Sequence, residues 1–245
     1  LGPMAGLVAA AALAIDYLLT ATVSIAAAVL ALTSAFPTLS PVRHEIALAG
    51  VALLAVINLR GLRQTGRTVA VPVYGFTVVV AVTLTVGLVR AAQGTLETAV
   101  VDHPLPVGTA AAATGIVMMR AFASGCSALT GIEAVANGVP AFRAPQARNA
   151  GATLVMMAGI AMTLLLGVSW LAYEAHALPS ETVSVLSQLG RVVWGDHGVS
   201  GTGFYLLQFF TLAILLMAAN TAYQGFPRLL ASVAAEGSAP RWFQY

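Results

Sequence analysis

Two stretches of this chain carry side chains that apolar surroundings make expensive, and chemistry is sought there first. One is Asp16-Tyr17-Leu-Leu-Thr20-Ala-Thr22-Val-Ser24. At 100° per residue, Asp16, Tyr17, Thr20, Ser24 and Ala27 fall within an arc of roughly 100°, opposite a face of mostly Ala, Val, Ile and Leu. A single helix thus lines up a carboxylate, a phenol and two hydroxyls. Taken singly, a Ser or Thr in an apolar helix is explained by a bond to its own backbone. Asp16 is not explained that way, because an acid in mid-span is costly and marks a function or an ion pair. Arg120 is a structural partner for it by charge.

The other stretch runs from Ser124 to Pro140, in the back half of an apolar segment that begins near Ala110. About thirty residues of straight helix, at ~1.5 Å each, overshoot a hydrocarbon core of roughly 30 Å. Gly125, Gly131 and Gly138, with Ser127 and Thr130 between them, favour a break. Non-helical backbone at membrane depth survives only where protein buries it or where it lines a watery cavity. A glycine-broken span that carries a carboxylate, here Glu133, is the sequence mark of a transporter's binding site. A carboxyl at such a break can take and release a proton as its exposure alternates, as proton coupling requires. The structural reading of Glu133 is a hydrogen bond to backbone freed by the break.

Those groups need helices to position them. The 245 residues are 59% hydrophobic and 8% charged, which excludes a soluble domain and a disordered chain. The fold class expected is an all-α integral membrane protein forming one transmembrane domain over 1–245. Six spans are read at about 4–31, 44–59, 68–90, 110–140, 150–173 and 201–226, the fourth broken. Residues 174–200 read as a longer loop. In the last span Asn220, Thr221 and Tyr223 form a polar cluster before Pro227, with Asn220 read as capping or bridging helices. The opening Leu1-Gly-Pro3 reads as a cut just before a span of a longer protein.

All eleven basic residues are Arg. Seven of them (Arg60, Arg63, Arg67, Arg143, Arg148, Arg228 and Arg241) fall in the second and fourth connections and the tail. Arg43, Arg90 and Arg191 fall on the other side. The positive-inside bias then puts both ends in the cytoplasm of a multi-pass plasma-membrane protein. The balance is too small for nucleic acid. Cys126 is the sole cysteine and no His has a ligand companion at helical spacing, so no thiolate or histidine metal site is expected. No metalloprotease, nucleophile-elbow or P-loop motif occurs, so neither an enzyme nor nucleotide-driven transport is expected.

The residues in these places resemble a known family. Asp16-Tyr17-Leu-Leu-Thr20-Ala-Thr-Val-Ser24, Ile57-Asn58-Leu-Arg60-Gly61, Leu129-Thr130-Gly131-Ile-Glu133-Ala-Val-Ala-Asn137-Gly138-Val-Pro140 and Asn220-Thr221-Ala-Tyr223 are similar to the amino acid–polyamine–organocation (APC) superfamily. Within it the chain most resembles the KimA-type potassium–proton symporters. The resemblance implies the LeuT/APC inverted-repeat fold, of which these spans would be the third to eighth helices, the sixth broken. It implies a potassium ion held by Tyr17, Thr20, Ser24 and Thr130, with Glu133 for proton coupling; Asp16, Arg120 and Asn220 are read, from the residues themselves, as supporting groups. It also implies that the first two helices, one wall of the site, and the last helices belong to a longer parent chain. A dehydrated monovalent cation wants several neutral oxygens and little net charge, which four hydroxyls and loose carbonyls supply.

The function expected is potassium import driven by the proton gradient, with no cofactor beyond the transported ions. The partners expected are the lipid bilayer, a small cation substrate and a second copy of the chain in a homodimer. An amino acid permease of the same superfamily, coupled to protons or sodium, is the alternative. A non-transporting membrane scaffold comes third, and Asp16 and Glu133 both in satisfied pairs would favour it.

Overall fold

A computed structural model describes residues 3–60, 66–100, 138–195 and 198–244, with seven positions between 115 and 135. All regular elements among the described residues are helical. The first, α1 (Pro3–Ala35, 33 residues), is Ala-rich and opens on a proline, whose missing N–H costs nothing there. It ends where Pro37 bars Phe36 from helical geometry (φ −127°, ψ 82°). A 3₁₀ turn, Pro37–Val42, then leads into α2 (Arg43–Leu59). Helix α3 (Gly66–Ala92) closes at Gly94 (φ 67°), where the N–H of Thr95 donates back to the Arg90 carbonyl at 2.9 Å. A 3₁₀ turn at Val139–Ala141 precedes α4 (Gln146–Glu174). Then come α5 (Val185–Trp194), α6 (Gly198–Ala235) and a last 3₁₀ turn, Arg241–Gln244.

Five helical stretches among the described residues are long and apolar enough to cross a membrane: Met4–Ala35, Pro37–Leu59, Val69–Ala92, Gln146–Glu174 and Gly201–Ala235. They bear exposed large apolar side chains, as on α4, where Val155, Met156, Leu165 and Leu166 are all more than half exposed. Water tolerates such a face poorly and lipid tails cover it at no cost. The protein is a multi-pass membrane protein. The broken span expected at 110–140 lies almost wholly outside the described residues.

The frame is α1 laid along α6, with α3 and α5 also against α6 and α2 against α1. Gly75 of α3 faces the Phe210 ring of α6, where a β-carbon would collide with it. Two apolar clusters hold the ends together. Ile25, Leu54 and Ala219 join α1, α2 and α6, while Leu171, Ala175, Leu189, Val192 and Val193 join α4 and α5.

Two expectations need correction. The stretch read as a loop between the last two spans contains α5, of whose ten residues six are buried. Its ends are defined by chemistry: the Ser184 hydroxyl accepts from the Ser187 N–H at 3.1 Å, and Gly195 stops it at φ 71°. The last helix also outruns the expected stop at 226. It continues through Pro227 to Ala235, because one proline removes one ladder bond and α1 packs alongside.

Candidate functional site

The α1 stripe forms as the periodicity predicts, and its burial rises along the helix. Asp16, Tyr17 and Thr20 are partly buried and Ser24 is buried; beyond them Ala28, Ala31 and Ala35 are buried too. Thr22 leaves this face: it is exposed, and its hydroxyl donates back to the Leu18 and Leu19 carbonyls, both at 3.0 Å. Asp16 makes no ion pair among the described residues. The other members of the expected set, Thr130, Glu133 and Arg120, lie outside the described residues.

Tyr17 meets α6 at Gly225. A β-carbon there would stand 2.8 Å from both Cε1 and Cζ of the phenol and 3.2 Å from its oxygen. The same ring lines a pocket of about 260 Å³ with Ala21 and Ile25 of α1, Val51 of α2, and Tyr223 and Pro227 of α6. This chamber is walled almost entirely by carbon.

Next to it α2 and α6 are joined by an amide pair. Asn58 Nδ2 donates to Asn220 Oδ1 at 2.6 Å and to the Leu54 carbonyl at 2.8 Å. Asn220 is 1% exposed, and among the described residues its Nδ2 has no partner. The Tyr223 hydroxyl donates to the Val51 carbonyl at 3.4 Å between the same two helices. Asn220 therefore bridges helices, while Thr221 turns back to the Met217 carbonyl at 3.0 Å.

A second polar region, which the sequence did not announce, holds α5 in place. Arg191 Nη2 donates to the Ser34 carbonyl at 2.8 Å, near the C-terminal end of α1, where a positive charge is favoured. Its guanidinium stands 5.5 Å from the Phe204 ring centre. Trp194 Nε1 donates to Thr83 Oγ1 at 2.9 Å, and the Ser187 hydroxyl donates to Gln208 Oε1 at 3.1 Å. Three bonds thus tie α5 to α1, α3 and α6. The available signal was the Leu186, Leu189, Val192 and Val193 spacing, opened by Ser184 and closed by Gly195.

Among the described residues no cluster of His, Cys, Asp and Glu could hold a metal ion. What α1 offers on this face is a row of hydroxyl oxygens, from Tyr17, Thr20 and Ser24, beside the Asp16 carboxyl.

Apolar helices long enough to span a bilayer, one of them carrying a polar stripe, define the class: a multi-pass membrane protein. The amino acid permease family model matches residues 1–245, and the chain belongs to that family, within the APC superfamily. It is 39% identical over 244 residues to the potassium transporter KimA of Bacillus subtilis (strain 168), covering 99% of this chain and 39% of the relative. The chain thus spans about two fifths of the length of that relative.

Proposed function

We propose that the parent of this chain imports potassium together with protons by alternating access, in the plasma membrane. The observation that carries the reading is the row of Tyr17, Thr20 and Ser24 on one face of α1, in a chain 39% identical to a potassium transporter. In this reading those three hydroxyls and Thr130 replace part of the ion's hydration shell, and Glu133 carries the proton. Asp16 sits one position from Tyr17, so its charge attracts the cation towards the stripe. Helices α1 to α6 supply part of the site, and segments of the parent chain supply the rest.

The test is growth of a potassium-uptake-deficient bacterium in micromolar potassium, using the full-length parent. Rescue is expected for the parent and loss of rescue for Thr20→Ala and Glu133→Gln. An unrescued strain with the parent shown to be in the membrane would sink the potassium reading. The family's description as amino acid permeases then favours a coupled amino acid permease, and a screen of radiolabelled amino acids would follow.

A further inference from the structure

We propose that Gly225 of α6 is a positioning residue that sets where the Tyr17 hydroxyl stands, and so tunes affinity for the cation. The inference rests on the reading of Tyr17 as an ion ligand. A β-carbon at 225 would lie 2.8 Å from two ring carbons of Tyr17, whereas carbon atoms rest at about 3.5–4.0 Å. The phenol is thus pressed against a bare backbone on one side. The ring also borders the 260 Å³ pocket, together with Ala21, Ile25, Val51 and Tyr223.

That close approach gives Gly225→Ala a definite consequence. Cε1 and Cζ lie at the far end of the Tyr17 side chain, so it is the ring that must shift, by roughly 1 Å, to restore ordinary contact. The hydroxyl moves with the ring. A displacement of about 1 Å in a ligand is enough to cost tenfold or more in a site that depends on placement. No other backbone position is held this close to Tyr17 among the described glycines.

The experiment is potassium uptake by the full-length parent and its variants in cells, with membrane levels measured alongside. Gly225→Ala is expected to raise the KM for potassium about tenfold at normal membrane level. In a Tyr17→Phe background, where the hydroxyl is gone, the same substitution is expected to change KM no further. An unchanged KM for Gly225→Ala, or an equal rise in the Tyr17→Phe background, would overturn the inference while leaving the potassium reading intact. No potassium uptake by the parent itself would overturn that reading, and this inference with it. If Gly225→Ala fails to reach the membrane, Tyr17→Ala added to it must restore the level, since it removes the colliding ring. No restoration counts against the contact.

Discussion

At the scale of single residues, the Asn58–Asn220 bond is the contact whose energy is easiest to isolate. Buried amide pairs between membrane helices are worth about 0.6 kcal/mol on average and up to about 1.7. Asn220→Ala should therefore lower the thermal stability of the detergent-solubilised parent by about 1 kcal/mol. The Asn58→Ala/Asn220→Ala double variant should lose less than the sum of the singles. An additive cycle in a thermal melt would show that the 2.6 Å contact carries no coupling. The stripe on α1 could be read from its residues because type and spacing along one helix are local facts. Asn58 and Asn220 stand 162 positions apart, so their pairing depends on how α2 and α6 cross. Gly225 is silent in the sequence for a related reason. A missing side chain says nothing until the ring that occupies its space is known.

At the scale of elements, length and apolarity located the five long apolar helices of the described residues, and one short helix escaped. Its charged neighbours Glu181 and Asp196 and its ten residues make α5 look like connection. Its amphipathic face is satisfied by α3, α4 and α6, and α3 lies far back in the chain. If Arg191, Trp194 and Ser187 hold it as their bonds indicate, the amides of 189–194 should exchange slowly in the intact parent. Those of 177–183, just before it, should exchange fast. Arg191→Ala should speed exchange across α5 by several-fold, because it frees the Ser34 carbonyl and the Phe204 face together. Equal exchange in 177–183 and 189–194 of the unaltered protein would refute the docked helix. Proline misled the reading of α6 differently: a breaker in isolation becomes tolerable beside a long partner helix.

At the scale of the whole molecule, orientation is the open quantity, and the folded ends make it testable. Arg43 and His44 of α2 line one chamber with Ser180 and Glu181, so the turn after α1 and the segment after α4 share an end of the bundle. The Arg bias predicts that this end is outside. With Cys126 replaced by Ser, cysteines at Thr38 and Glu181 should react with an impermeant maleimide on intact cells. Cysteines at Arg143 and Glu236 should react only after permeabilisation, and the reverse pattern would invert the topology. Some distances along the bundle carry mechanical meaning as well. Pro227 cannot donate to the Tyr223 carbonyl, so α6 lacks one rung of its ladder directly beneath Gly225. A rod yields where it is thinnest, and bending of α6 will concentrate there. A bend at that rung would shift the backbone at 225 relative to the Tyr17 ring beside it. The missing rung and the missing side chain thus fall within one turn of each other, on the stretch of α6 that faces one phenol.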